Sequence, residues 1–185
     1  MTARIALTYR DYAALPDDGK RYEIHNGELS VTSAATPWHQ VVLLNLATVL
    51  DAHVRAQSLG RILMAPLDVI LSDLPSETTI LQPDIIFLER ERRGLISQRA
   101  IEGPPTLVVE ILSPSTAMID RTRKRELYAR YGVPNYWLVD IEARDIEACV
   151  LRSGEHVVAA RVSGTEPVDL PPFVGLGLVP ASLWQ

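Results

Sequence analysis

A short apolar stretch from Thr106 to Leu112, with the sequence TLVVEIL, limits the possible folds of this chain more than any other feature. It is rich in β-branched residues and prolines lie close to both of its ends, so it predicts a strand that is buried on both faces. Glu110 lies in the middle of that strand. A buried and unpaired carboxylate costs on the order of several kcal/mol. We therefore expect a cation, a metal ion or a second polar group to meet Glu110.

The size and composition of the chain suit one globular domain. Its 185 residues are 47% hydrophobic, which is enough for a real core, and we expect a single domain over residues 1–185 with a C-terminal arm from about residue 163 packing on it. The net charge of -5 means that any binding to phosphates requires a local basic patch. The single cysteine, Cys149, excludes an intramolecular disulfide and a thiolate metal cluster.

Targeting signals are missing from the sequence. Residues 1–5 do not begin the long apolar core of a signal peptide. No apolar run reaches the length of a membrane span. We therefore expect a cytoplasmic protein that does not associate with a membrane.

Local signals predict an α/β fold. Asn26-Gly27 lies between two alternating segments and predicts a hairpin, because both residues tolerate positive φ. Gly60 is expected to end a long helix, and Pro66 to mark a bulge or an edge in the next strand. Helices are predicted over residues 8–15, 37–60 and about 120–131, strands over 61–71, 85–88, 106–112 and 135–141, and a second hairpin over 146–162. This order favours a central mixed β-sheet flanked by helices.

Three charged residues form the candidate catalytic site: Asp84, Glu110 and Lys124. If the strands that carry Asp84 and Glu110 pair, their carboxylates come within several ångströms of each other and offer hard oxygen ligands to Mg²⁺. Lys124 shares a helix face with Asp120 and Tyr128, since these residues are four apart. Its ammonium would orient an attacking water or neutralise charge on a phosphate. The competing interpretation is that Lys124 and Asp120 only solvate a helix.

Glu28 and His39 are minor candidates for the same site. Glu23 and Glu28 flank the Asn-Gly turn, and either one could add a third carboxylate if the hairpin lies over the site. The competing interpretation is that both are exposed strand acids. His39, at the start of the long helix, is either a capping or surface histidine or a residue that faces an anionic site.

A set of motifs is spread over nearly the whole chain: YEIHNGEL at 22–29, PWHQ at 37–40, Pro83-Asp84, LVVEILSPST at 107–116, Asp120-x₃-Lys124-x₃-Tyr128, GVPNYWLVD at 132–140 and a proline-rich C-terminal arm. In this combination the motifs resemble the Uma family of restriction endonuclease-like proteins, which belongs to the PD-(D/E)XK nuclease superfamily. The glutamate motif together with the helix that follows it is the specific part of the resemblance.

The resemblance implies a restriction endonuclease-like fold and metal-dependent phosphodiester hydrolysis as the ancestral chemistry. Asp84 and Glu110 match the superfamily's ligands for Mg²⁺ or Mn²⁺, and DNA is the implied partner. The superfamily's lysine normally lies two residues after the glutamate, where this chain has Leu112. The resemblance implies that Lys124 on the following helix takes its place. Many such nucleases act as dimers, because cutting both strands needs two sites. Trp184 and the apolar arm could support a homodimer, although core packing explains them as well.

Three functions follow as hypotheses. The first is a metal-dependent endonuclease that acts on DNA through Asp84, Glu110 and Lys124. The second is a catalytically silent nucleic-acid-binding or assembly protein that retains the nuclease fold, which the acidic net charge and Leu112 favour. The third is hydrolysis of a small phosphodiester instead of DNA.

Overall fold

The computed structural model describes residues 6–32 and 34–185. The expectation drawn from residues 1–5 therefore lies outside the described residues. The helical elements are α1 (Tyr9–Ala13), α2 (Pro37–Ala56), a 3₁₀ helix (Arg90–Leu95), α3 (Ala117–Ile119), a π-helical turn (Asp120–Lys124), α4 (Arg125–Arg130) and a C-terminal 3₁₀ helix (Pro180–Trp184). None of the helices in the described part is long and apolar enough to cross a membrane.

The strands are β1 (Arg21–His25), β2 (Glu28–Thr32), β3 (Gly60–Met64), β4 (Val69–Ser72), β5 (Thr79–Leu81), β6 (Ile85–Glu89), β7 (Ile101–Glu102), β8 (Leu107–Leu112), β9 (Asn135–Asp140), β10 (Asp145–Arg152) and β11 (Glu155–Val162). They form two mixed sheets, where the sequence had predicted one. The large sheet has the order β11-β10-β9-β8-β6-β3, and the small sheet has the order β2-β1-β5-β4-β7. Within the large sheet β8 is parallel to β9, and within the small sheet β4 is parallel to β7.

The two faces of the large sheet are buried against different partners. Strand β8 alternates, so Leu107, Val109 and Ile111 pack into one core with helix α2 and the C-terminal arm. Val108 and Leu112 point to the opposite face, where they pack with residues of α4 and the small sheet. Burial on both faces explains why β8 is apolar at every position except Glu110. It also places Glu110 on the face that α4 and the small sheet cover.

The C-terminal arm packs against the α2 side of the large sheet. Leu170, Phe173 and Leu183 are buried in the core that it shares with α2. The indole Nε1 of Trp137 donates a hydrogen bond of 2.7 Å to the carbonyl of Pro171, which ties the arm to β9. Trp184 packs partly buried against the same core. Core packing therefore accounts for Trp184 without a second subunit.

Two predicted elements differ from the structure. Helix α2 ends at Ala56, and Gly60, which was expected to end it, is instead the first residue of β3. The strand predicted over 61–71 is two strands, β3 and β4, which belong to different sheets. Pro66 lies in the segment between them, where a missing N–H breaks no ladder. Strand β5 was not predicted from the sequence, because it has only three residues.

Gly60 is required where β3 pairs with β6. A Cβ atom on Gly60 would lie 1.9 Å from the backbone oxygen of Leu88, and backbone cannot move aside as a side chain can. We expect Gly60→Ala to lower the free energy of unfolding by about 1–3 kcal/mol, as overpacking does. Urea denaturation measures the change. Gly94→Ala is the matched control, since a Cβ there meets nothing within 4 Å, and equal stability of the two variants would contradict the prediction.

Candidate functional site

The carboxylates of Asp84 and Glu110 are brought together by the pairing of β6 with β8. Ile85 pairs with Val109 and Ile86 pairs with Val108 in this antiparallel ladder. Asp84 directly precedes β6, and continuing this register by one residue aligns it with Glu110. Because side chains directly opposite each other have Cβ atoms about 5 Å apart on one face, the two acids share a face of the large sheet. Both are buried, each with 2% of its surface exposed.

Asp84 is held by three donors. The Arg21 guanidinium donates to Oδ1 at 3.0 Å, and the backbone N–H of Ile111 donates to Oδ2 at 2.8 Å. His39 Nε2 lies 3.1 Å from the same Oδ2. Burial acts to raise the pKa of Asp84, but His39, Arg21 and the Ile111 N–H outweigh burial and hold the pKa below its ordinary value. Asp84 is therefore an ionised carboxylate.

Glu110 forms an ion pair with a lysine, which is one of the compensating groups expected for a buried carboxylate. The Lys124 ammonium lies 3.0 Å from Glu110 Oε1, 2.8 Å from Glu23 Oε1 and 3.6 Å from Asp120 Oδ1. The Tyr128 hydroxyl donates to Glu110 Oε1 at 2.8 Å. The π-helical turn and α4 thus point Asp120, Lys124 and Tyr128 inward together, as their spacing predicted, and the interpretation that they only solvate a helix is wrong.

Charge in this cluster is not balanced. One buried ammonium faces the acids Glu23, Glu110 and Asp120. Burial raises the pKa of Glu110 well above its ordinary value, and the neighbouring acids raise it further against the opposing effect of Lys124. Burial acts to lower the pKa of Lys124, but the three acids outweigh burial and keep the pKa above its ordinary value. Lys124 therefore stays protonated, while Glu110 is the acid that most readily takes up a proton.

The candidate site is a cleft of about 200 Å³ that both charged and neutral polar side chains line. Asp84, Glu110 and Lys124 line it together with Arg21 and His39. Hydroxyl groups from the turn after β8 and from the segment before α2 also line it, namely those of Thr32, Thr36, Ser113, Ser115 and Thr116. Charged groups together with neutral hydrogen-bonding groups suit a substrate that carries negative charge and hydrogen-bonding oxygen atoms.

The two minor candidates have different outcomes. His39 lines the cleft through its contact with Asp84. Glu28 does not line it, and its carboxylate instead pairs with Arg123 at 2.7 Å, outside the cleft. The hairpin does supply a third acid, but that acid is Glu23, whose Oε1 also accepts a hydrogen bond of 2.7 Å from the backbone N–H of Gln82.

Arg21 was missed by the sequence analysis, and Glu23 was given less weight than Glu28. Alternation does not single out Glu23, since Glu23, Ile24 and His25 are all buried and both faces of β1 are covered there. Arg21 gave no signal either, because a lone arginine at a strand start is most often exposed.

The donor set fits a divalent cation. Asp84 and Glu110 offer hard oxygen ligands in one cleft, and the acids Glu23, Asp84, Glu110 and Asp120 outnumber the permanent cations Arg21 and Lys124 by two. His39 Nδ1 is buried and has no hydrogen-bond partner among the described residues. No three His, Cys, Asp or Glu side chains in residues 6–32 and 34–185 are grouped closely enough to hold an ion by themselves. The ion that fits is therefore one that keeps water or substrate ligands, as Mg²⁺ does.

The raised pKa of Glu110 predicts a pH-dependent stability. Between its ordinary pKa of 4.5 and its higher pKa in the fold, the folded protein binds more protons than the unfolded chain. The free energy of unfolding should therefore fall as pH rises through this window, by at most about 1.4 kcal/mol per pH unit for this one group. Melting temperatures in chelator from about pH 5 to about pH 8 measure this slope. Glu110→Gln should have a shallower slope, and parallel curves for the two proteins would contradict the assignment.

Comparisons with known proteins identify the family and the fold of this chain. Residues 9–182 match the family model Uma2, described as "Putative restriction endonuclease". A crystal structure described as a putative nuclease belonging to DUF820, from Anabaena variabilis, superposes with a TM-score of 0.72. The likeness covers 96% of this chain and 97% of that one at 18% sequence identity, so it shows a common fold. The comparison with curated proteins gives no match.

Proposed function

Because the chain belongs to the Uma2 family, we propose that it is a metal-dependent endonuclease that hydrolyses phosphodiester bonds in DNA. Asp84, Glu110 and Lys124 are its catalytic residues, and Asp84 and Glu110 are its ligands for Mg²⁺ or Mn²⁺. The observation that carries the proposal is that both acids line one cleft, Asp84 from the residue before β6 and Glu110 from β8, which pairs with β6. Two carboxylates at a cleft wall and an adjacent ammonium are what phosphodiester hydrolysis by a bound ion requires.

The reaction breaks one P–O bond of the DNA backbone and forms another to a water oxygen. A Mg²⁺ ion bound by Asp84 and Glu110 would polarise the phosphate and make the water more acidic. The protein's own part is to hold the two carboxylates in place. Asp84 is fixed by the Ile111 N–H and by His39, and Glu110 is fixed by the Tyr128 hydroxyl. Such partners orient ligands and are worth about 10- to 100-fold in activity or ion affinity.

Lys124 acts as a fixed positive charge. Its pKa lies above the ordinary value, so it cannot take the proton of the attacking water near neutral pH. The ammonium is 3.0 Å from Glu110 and lines the cleft, where it stabilises the extra negative charge that develops on the phosphate. The role of Lys124 is therefore to stabilise charge and not to transfer a proton.

A second candidate function is DNA binding without hydrolysis. One observation favours it: each proposed metal ligand is already paired with a cation of the protein, Asp84 with Arg21 and Glu110 with Lys124. A cluster that is compensated in this way can persist without a metal ion. The basic side chains on the outer side of the α3–α4 segment, such as Arg121 and Arg125, would then supply the phosphate contacts.

Plasmid nicking separates the two functions. Purified protein should convert supercoiled plasmid to open circles in Mg²⁺ or Mn²⁺ but not in chelator, and Asp84→Asn should remove this activity. Binding of a labelled duplex with a steep salt dependence but no nicking in either ion would favour the silent binder. Cleavage of a small phosphodiester without any cleavage or binding of DNA would instead support the third hypothesis.

A further inference from the structure

Arg21 is a partly exposed cationic partner of the buried Asp84. The Arg21 side chain is 25% exposed, whereas that of Asp84 is 2% exposed. Its Nη1 contacts Asp84 Oδ1 at 3.0 Å and makes a longer hydrogen bond of 3.3 Å to the carbonyl of Gln82. The guanidinium is therefore held at the cleft by one strong contact and one weak contact. The other Asp84 oxygen, Oδ2, is already used by Ile111 and His39.

A divalent ion and Arg21 compete for the same carboxylate oxygen. Asp84 Oδ1 has the Arg21 guanidinium as its hydrogen-bond donor, and a cation bound there would lie beside that guanidinium. Like charges at such a distance repel strongly in a buried site. An ion that binds Asp84 must therefore displace Arg21 or bind more weakly in its presence.

Arg21 also lines a second hollow beside the cleft. This hollow, of about 300 Å³, lies between the β1 side of the protein and the segment around Pro66, and Lys20 and Gln40 are among its lining residues. Arg21, Ala34 and Ala35 line both spaces, so they form the wall between them. A phosphate in either space would give the guanidinium a new anion, and arginine binds phosphate well because its N–H groups form a planar fork.

We propose that Arg21 is a DNA-phosphate-binding residue that is held on Asp84 until DNA arrives, so that DNA binding frees Asp84 for the metal ion. This inference rests on the proposed function and adds a substrate-binding residue to it. DNA draws Arg21 away from Asp84 and so favours ion binding, and an ion on Asp84 releases Arg21 and so favours DNA binding. DNA and the ion therefore strengthen each other's binding. The ion binds poorly to the protein alone and well to the protein–DNA complex.

Titration with Mn²⁺ tests the inference without measuring cleavage. Mn²⁺ affinity is measured by the loss of the free-ion EPR signal, with and without a duplex whose phosphorothioate linkages resist hydrolysis. Wild type should bind Mn²⁺ at least about fivefold more tightly when the duplex is present. Arg21→Gln should bind Mn²⁺ at least about fivefold more tightly than wild type without DNA, gain little from the duplex, and bind the duplex more weakly.

Lys20→Gln is the matched control. It removes the neighbouring positive charge, but Lys20 pairs with Asp18 at 2.7 Å and does not contact Asp84. Its Mn²⁺ affinity without DNA should equal that of wild type. If Arg21→Gln is too unstable to assay, Arg21→Met replaces it, because methionine keeps much of the aliphatic side chain and removes the positive charge. Its Mn²⁺ affinity should then exceed that of wild type.

Two results would overturn the inference, and they are distinguishable. If Asp84→Asn abolishes Mn²⁺ binding while the Arg21 variants keep wild-type affinity and wild-type coupling to DNA, Arg21 does not control the ion and the proposed function stands. If Mn²⁺ binds to none of the proteins at the same concentrations, with or without the duplex, the inference and the metal-dependent function fail together.

Discussion

Glu110→Gln is expected to lower the rate of metal-dependent DNA nicking by at least about a hundredfold. The amide has nearly the same shape as the carboxyl group but carries no charge, so it is a poor ligand for Mg²⁺. The fold should not suffer, because Glu110 already has a raised pKa and lies near other acids. Its melting temperature in chelator should equal or exceed that of wild type.

The control for this prediction is an acid on a strand outside the cleft. Glu102→Gln changes an exposed glutamate of β7 that pairs with Arg99 at 2.9 Å. Its nicking rate should remain that of wild type. Initial rates on supercoiled plasmid, with the ion concentration varied, measure both variants. A Glu110→Gln protein that is folded and nicks at the wild-type rate would remove Glu110 from the mechanism.

Lys124→Met should be the most destabilising substitution at the site, by about 3–5 kcal/mol. Lys124 is 6% exposed in its side chain and is the cation shared by Glu23, Glu110 and Asp120. Methionine fills a similar volume but leaves these acids buried without their partner. Urea denaturation near neutral pH measures the loss, and nicking should be lost as well.

The sign of the pH dependence gives a second test of Lys124. Burial acts to raise the pKa of Glu23, but Lys124 and His25 outweigh burial and hold that pKa below its ordinary value of 4.5. The stability that Lys124 provides through Glu23 is therefore present above that pKa and decreases as the pH falls below it. The difference between wild type and Lys124→Met should accordingly be smaller at about pH 4 than near neutrality.

Arg121→Met is the matched control for Lys124→Met. Arg121 lies on the same π-helical turn and pairs with Asp140 at 2.7 Å, but both side chains are partly exposed, by 35% and 21%. Such a pair contributes less than about 1 kcal/mol. Equal losses of stability in the two variants would contradict the prediction. They would mean that the buried cluster of Lys124 with its three acids does not stabilise this part of the fold more than an exposed ion pair does.

The sequence predicted the parts of the site that follow from periodicity. Glu110 could be assigned to a buried strand because every other residue from Leu107 to Leu112 is apolar. Lys124 could be assigned to its inward face because it is four residues from both Asp120 and Tyr128. The pairing of β6 with β8 then brings Asp84 to Glu110. Each of these steps uses a local repeat or a neighbouring strand.

The parts that failed depend on contacts between distant segments. Nothing local to Glu23 and Glu28 says that the hairpin packs with Glu23 toward Lys124, since that choice is made where β1 pairs with β5. The existence of a second sheet has the same origin, because its short strands β5 and β7 are stable only when paired. The predicted homodimer, the cytoplasmic location and the single-domain organisation stay predictions.

One ammonium joins parts of the chain that are made at different times. Glu23 belongs to the small sheet, Glu110 to the large sheet and Lys124 to the π-helical turn that follows both in the sequence. A ribosome-bound fragment that ends before residue 117 contains Glu23 and Glu110 but not Lys124, whose positive charge compensates them. Such a fragment would hold uncompensated negative charge in its core and could not settle into the finished arrangement. If the proposed function is correct, the chain would become able to cut DNA only after synthesis has passed that turn.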